Sequence, residues 1–287
     1  MSKAKDFQLA TANHIIEIFK RGQKRVLLSD EVGLGKTIMA RTVVENAKSL
    51  PGIETDGVFR IVYVCSNQNI IQQNTRNLGI PKEDIMQIQV SRLSMQHLIL
   101  QERKSRFNNQ CANELQQQLI PLTPSTSFSI KSGAGNGAER ALLFSILKDM
   151  DEFAGKTERL SMLLKTKYMG ESGWERLVRS YCDRTDKCGD DYKIDIVKRL
   201  RANSVFSKNF KSFIDIVDDA SKEEISFKLV NKLRAASAQV SLDLLEPDLV
   251  IMDEFQRFSG LLNTDEESED DKGTEEAMIP HRYSVIR

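Results

Sequence analysis

The chain has 287 residues, equal numbers of basic and acidic side chains (41 each) and a hydrophobic fraction of 40%, which fits one large α/β domain or two small ones. No run approaches the roughly 20 apolar residues of a membrane span, and Lys3, Lys5 and Asp6 flank no apolar segment of the kind a signal peptide needs, so a cytoplasmic protein without membrane contact is expected. Four cysteines (Cys65, Cys111, Cys182, Cys188) lack zinc-ligand spacing and there are only three histidines, so reduced thiols rather than a dedicated metal cage are expected.

Residues 7–21 carry Leu9, Ala12, Ile15, Ile16 and Phe19 at helical spacing, and Arg21-Gly22 ends that helix. Gln8, 25 residues ahead of Gly33, is either a polar helix-start residue or an adenine reader. Val26–Leu28 reads as a short buried strand. The stretch Asp30-Glu31-Val32-Gly33-Leu34-Gly35-Lys36-Thr37 comes next and opens a helix through Ile38, Met39, Ala40, Val43 and Val44. Strand, Gly-bearing turn and helix N-terminus form the context of a phosphate-binding loop. Backbone N–H groups and the positive end of the helix dipole point at the anion. Gly33 and Gly35 let the backbone close around it, Lys36 reaches the terminal phosphates, and the Thr37 hydroxyl ligates Mg²⁺. The strict Gly-x4-Gly-Lys-Ser/Thr pattern is missed by one residue, because Asp30 holds the first Gly position.

Phe59–Cys65 reads as a second buried strand running into Ser66-Asn67-Gln68 and a helix through Ile70, Ile71 and Leu78. Gln68 and Asn69 either contact a nucleic-acid backbone or cap that helix. Gln87–Val90 suggests a short third strand, and residues 94–118 form a loop or a weak helix. Leu119–Leu122 leads into Thr123–Phe128, a hydroxyl-rich segment that either holds phosphates or simply turns. Residues 130–138, with Gly133, Gly135 and Gly137, read as a flexible loop. From 139 to 245 apolar stripes at helical spacing dominate: Leu142, Leu143, Ile146 and Leu147; Leu177, Val178 and Tyr181; Ile194, Val197, Leu200, Val205 and Phe206; Phe227, Val230, Leu233 and Val240. This is too long for a simple crossover and reads as a helical insertion, with Trp174 in its packing.

Pro247-Asp248 then starts an apolar strand, Leu249–Met252, that ends in Asp253 and Glu254. A buried parallel strand delivers its C-terminal side chains to the ligand edge of the sheet. There Asp253 is expected to hold Mg²⁺ and Glu254 to orient or deprotonate the attacking water. Residues 264–276 form a solvated acidic run, and Met278–Arg287 carry no clear element. Thirteen acidic against two basic residues lie between 243 and 276. The remainder therefore has 28 acidic and 39 basic side chains, a net of +11 that is compatible with an anionic partner.

Asp30–Ile38 closely resembles motif I of superfamily-two helicases, especially the Swi/Snf-like translocases, in which the first Gly of the strict motif is routinely replaced. Asp253-Glu254-Phe255-Gln256 resembles the family's motif II, with Gln256 where a His is common. By that resemblance Gln256 couples the nucleotide site to the nucleic-acid cleft and Gln8 matches the adenine-reading glutamine. Val64–Gln68 likewise sits where motif Ia meets the nucleic-acid backbone, and Thr123–Phe128 loosely matches motif Ib. The chain also looks like part of the large bacterial helicase-domain proteins, some of which act in restriction or antiphage systems. The resemblance covers residues 1–128 and 246–257.

It implies a RecA-like P-loop NTPase lobe of the α/β class: a parallel sheet flanked by helices, with a large, mostly helical insertion. Residues 1–138 would be the first part of that lobe, 139–245 the insertion, and 246–287 the acidic strand and C-terminal segment. ATP and Mg²⁺ are the implied cofactors, and nucleic acid the partner, DNA being favoured over RNA. The family's Ser-Ala-Thr motif and second RecA-like lobe do not follow Glu254 here, so a second lobe in cis or trans is expected, and weak ATP turnover by this chain alone. Two competing readings are a P-loop ATPase switch that gates a protein partner, and an inactive truncated remnant.

Overall fold

The computed structural model describes residues 4–29, 34–50, 53, 58–65, 68–80, 92–107, 116–123, 135–167, 169–222, 224–253 and 283–286. The chain forms two compact units. One comprises Met1–Ser91, Cys111–Phe128 and Leu245–Arg287, and the other Arg92–Gln110 and Ser129–Leu244. The segment 92–110 thus groups with the helices of the second unit.

The first unit is built on a five-stranded, all-parallel sheet of β1 (Arg25–Leu27), β2 (Val58–Val64), β3 (Gln116–Leu122), β4 (Leu249–Met252) and β5 (Tyr283–Ile286), in the order β1-β5-β4-β2-β3. Strands β2 and β4 lie inside the sheet and are buried along most of their length, as a run of Val, Ile and Leu predicts for parallel strands covered on both faces. Their register is clamped at the start. Asp248 donates its N–H to the Arg60 carbonyl (2.9 Å), and its carboxylate accepts the Arg60 N–H (2.9 Å). At the other end the Asp253 N–H meets the Val64 carbonyl at 2.8 Å, and the Cys65 N–H meets the Leu122 carbonyl at 3.1 Å. Strands β2, β3 and β4 therefore finish level, with their C-terminal ends at one edge of the sheet.

Among the described residues this unit holds the helices α1 (Asp6–Lys20), α2 (Lys36–Ala47) and α3 (Gln68–Asn77). Ala12, Ile15, Ile16 and Phe19 of α1, Ala40, Val43 and Val44 of α2, and Ile71 of α3 share a core with Phe59, Ile61, Tyr63, Leu249 and Ile251 from one face of the sheet. The alternation along β2 and β4 puts Asp253 in phase with Leu249 and Ile251, so its carboxylate turns toward this helical layer.

Three sequence expectations change here. Strand β1 is not buried throughout: it lies at the edge of the sheet, Leu27 is 57% exposed, and only Val26 and the following Leu28 pack on the core. An edge strand has a single hydrogen-bonded neighbour, so its side chains have strand neighbours on one side only. The C-terminal residues do form an element, since Tyr283–Ile286 inserts as β5 between β1 and β4. Strand β3 begins at Gln116, because Gln116–Gln118 continue the ladder that Leu119–Leu122 alone suggest; it is the other edge strand, where Pro121 is tolerated. The expected strand at Gln87–Val90, most of the Gly-rich segment 130–138 and the acidic run 264–276 lie outside the described residues.

The second unit is helical: α4 (Gln96–Phe107), α5 (Gly137–Leu147), α6 (Thr157–Lys165), α7 (Glu171–Lys187), α8 (Asp190–Ala202), α9 (Ser204–Asp218) and α10 (Phe227–Leu245), with 3₁₀ turns at Leu93–Met95 and Asp151–Phe153. The stripe on α5 is buried from Ala141 to Leu147, and Phe144 meets Trp174 of α7 edge-on, centroids 6.3 Å apart. Phe153 packs edge-on against both Phe210 and Phe213 of α9. Ile194 departs from the expected stripe and is 64% exposed. Tyr192, Ile196 and Leu200 form the buried face of α8 at four-residue intervals, so a residue two positions from Tyr192 falls on the opposite side. Phe227, the first residue of α10, is exposed as well. Among the described residues no helix is long and apolar enough to cross a membrane.

His97 of α4 is enclosed in this unit. Its Nδ1 lies 2.8 Å from the Tyr192 hydroxyl and its Nε2 3.3 Å from that of Ser237. Burial pushes the imidazole down to about 4, partly countered by a backbone hydrogen bond at Ser94. The folded ring stays neutral until about pH 4, whereas the unfolded chain takes up a proton near pH 6.5. Stability should therefore fall as the pH drops from about 6.5 to about 4, by roughly 3 kcal/mol from this group, and the effect should be absent above pH 6.5. Urea unfolding followed by the fluorescence of Trp174, the sole tryptophan, checks this, and His97→Gln should flatten the profile in that window.

Candidate nucleotide-binding site

Helix α2 opens after the Gly35 turn and packs against β4, the strand that runs into Asp253. Helix α2 begins at Lys36, directly after Gly35, which occupies the N-cap in the left-handed region (φ +78°). Its carbonyl accepts the Ile38 N–H at 2.8 Å and the Met39 N–H at 3.2 Å, closing the first turn. Lys36 and Thr37 are thus the first two residues of the helix, both half-buried, at the end where backbone N–H groups and the dipole favour an anion. Leu34 is partly exposed at 39%.

Gln8 braces this turn. It is only 4% exposed, its side-chain oxygen accepts the Lys5 N–H at 2.9 Å, and its Nε2 donates to the Leu34 carbonyl at 2.9 Å. A Cβ at position 35 would overlap that Nε2, so Gly35 is required both by its backbone angle and by the amide lying against it. One amide therefore serves the start of α1 and also reaches the loop 26 residues further on.

Asp253 comes directly after β4 and is 7% exposed. Its Oδ2 accepts the Tyr63 hydroxyl at 2.5 Å and the Asn74 amide at 3.0 Å, and Asn74 also donates to the Tyr63 oxygen at 2.9 Å. Helix α2 runs against β4, and β5 separates β4 from β1, so the glycine turn and the carboxylate flank one strand at one edge. Neither Tyr63 nor Asn74 stands out in the sequence. The one available signal is a lone hydroxyl inside the apolar run Phe59–Cys65. Gly33, Glu254 and Gln256 lie outside the described residues, as do Asp30, Ser66, Asn67 and the segment 124–130. Of the expected nucleic-acid contacts, Gln68 and Asn69 open α3, and Thr123 comes directly after β3.

A carboxylate and a threonine hydroxyl are the hard oxygen donors that Mg²⁺ prefers, so the residue types at Thr37 and Asp253 fit a magnesium ion. The chain is mostly helical with a small parallel sheet, which is consistent with a RecA-like helicase lobe. Residues 2–132 match the family described as Type III restriction enzyme, res subunit, which marks that stretch as similar to a superfamily-two helicase N-terminal lobe. The match takes in α1, the Gly35 turn, α2, β2, α3 and β3, and stops short of Asp253. No curated protein and no solved structure matches the chain.

Proposed function

We propose that this chain is the N-terminal ATP-binding lobe of an ATP-dependent helicase or translocase acting on nucleic acid. The observation that carries the reading is a Gly35-capped helix start at Lys36-Thr37, on a helix packed against β4, the strand that ends in the buried Asp253. A phosphate cradle and a metal carboxylate are the two things phosphoryl transfer needs. Lys36 neutralises the terminal phosphates, and Thr37 and Asp253 hold Mg²⁺. Glu254 orients the attacking water, Gln256 links the site to nucleic acid, and Gln8, beside the turn, reads adenine. Bound Mg²⁺ supplies charge neutralisation on the phosphate oxygens.

DNA is the favoured polymer, because the matching family is named for a restriction enzyme. The partner against which such a lobe closes is a second RecA-like lobe, in the same or another chain. Calorimetric titration with ATP and Mg²⁺ tests the reading. Wild type should bind and Lys36→Ala should bind about tenfold more weakly or worse, since charge-assisted hydrogen bonds contribute roughly 1.5–3 kcal/mol. Equal binding by the two proteins would refute it.

A further inference from the structure

We infer that Tyr63 and Asn74 are positioning residues for the metal carboxylate Asp253, and that through them its orientation depends on helix α3, the helix that opens with Gln68 and Asn69. The inference rests on the nucleotide-binding reading above and extends it to residues outside the motifs. The three side chains form a closed triangle. The Tyr63 hydroxyl donates to Asp253 Oδ2, and Asn74 Nδ2 donates to both of the other oxygens, with all three separations between 2.5 and 3.0 Å. Tyr63 is completely buried in the middle of the sheet, which fixes its ring. Asn74 is only half-buried and sits on α3, so it is the vertex of the triangle that can move.

Two donors on one carboxylate oxygen fix the plane of the group, and partners of this kind orient a metal's ligands and tune their basicity. The connection to α3 gives the triangle a direction. Strand β2 ends at Val64, one residue after Tyr63, and α3 begins at Gln68. Asn74 lies six residues along the chain from Gln68, on the same helix. A shift of α3 would carry Asn74 with it and be felt at Asp253 Oδ2.

The test is a Mg²⁺ titration of ATP binding, read by a fluorescent ATP analogue, on wild type, Tyr63→Phe, Asn74→Ala and Lys36→Ala. Tyr63→Phe keeps the buried ring and removes one hydroxyl. It should raise the Mg²⁺ concentration for half-saturation about tenfold or more, while leaving binding in excess EDTA unchanged. Asn74→Ala should raise the midpoint as well, again without changing binding in excess EDTA. A merely structural role for these residues would lower the melting temperature and leave the midpoint where it was, which would overturn the inference. A midpoint raised by Tyr63→Phe but left unmoved by Asn74→Ala would overturn its dependence on α3. If Lys36→Ala abolishes nucleotide binding but neither Tyr63→Phe nor Asn74→Ala moves the midpoint, the nucleotide site stands and this inference alone falls. If Lys36→Ala binds as wild type does, the underlying reading has failed.

Discussion

Glu139→Ala is expected to destabilise the helical unit by about 3–5 kcal/mol, the range for removing one partner of a buried ion pair. Glu139 and Arg234 have side chains 1% exposed each, and both carboxylate oxygens accept from the guanidinium at 3.0 Å. The pair is embedded in further hydrogen bonds. Ser94 Oγ donates to Oε1 at 2.6 Å, the Asn136 N–H donates to Oε2 at 3.0 Å, and Arg234 Nη1 donates to Asn231 at 2.6 Å. Loss of the carboxylate therefore leaves a guanidinium charge, a hydroxyl and an N–H inside the protein without their acceptor, and desolvation of the charge sets the size of the effect. Glu139→Gln keeps one of the two acceptor oxygens and should cost less. Replacing Glu139 and Arg234 together with Met should recover part of the loss, because the buried guanidinium goes with its partner, though Ser94, Asn136 and the partly exposed Arg92, 3.6 Å from Oε2, still lose that acceptor. Urea denaturation monitored at Trp174, which is 2% exposed in the same unit, measures the difference. A loss below about 1 kcal/mol for Glu139→Ala would mean that water or a rearranged side chain reaches Arg234.

The same residues show where sequence reading succeeds and where it stops. Helix α2 and strand β4 are legible because their patterns are local: Gly35 followed by Lys36-Thr37, and four apolar residues followed by Asp253. The stripe Leu142–Leu147 is legible because one buried face repeats at the helical period. Glu139 gives no sign of its ion pair, since a glutamate three residues after Asn136 already fits a capping box, while its partner lies 95 residues away. Strand β5 is hidden for a different reason. Four residues that pair on both sides with parallel strands need no periodicity of their own, and Tyr283–Ile286 come after a long polar stretch. Ile194 misleads because its residue type fits the apolar series, whereas its angle around α8 puts it in solvent. The run around Tyr63 marks it as core, correctly by burial, yet its hydroxyl reaches a residue 190 positions away that only the β2–β4 pairing brings near.

Asp253 allows fold and chemistry to be separated by one pair of substitutions. Asp253→Asn retains an oxygen that can accept from Tyr63 and Asn74, so the stability of the sheet unit should change by no more than about 1 kcal/mol. It removes the negative charge that makes this position a ligand for a divalent cation. Asp253→Asn should therefore leave Mg²⁺-free nucleotide binding intact and remove the gain in affinity that Mg²⁺ brings. It should also lower any ATP turnover by about 10² or more, since metal stabilisation of transferred phosphoryl charge is worth several kcal/mol. Asp253→Ala should do the same to Mg²⁺ dependence and also cost roughly 1–3 kcal/mol of stability, because a fully buried tyrosine hydroxyl and a partly buried amide are left without their shared acceptor. Calorimetry with and without Mg²⁺, run beside thermal unfolding of the same samples, distinguishes the two losses. A variant of Asp253 that unfolds early yet keeps its full Mg²⁺ response would make the carboxylate a structural anchor for β2 and α3, and would move the metal site elsewhere on this edge of the sheet.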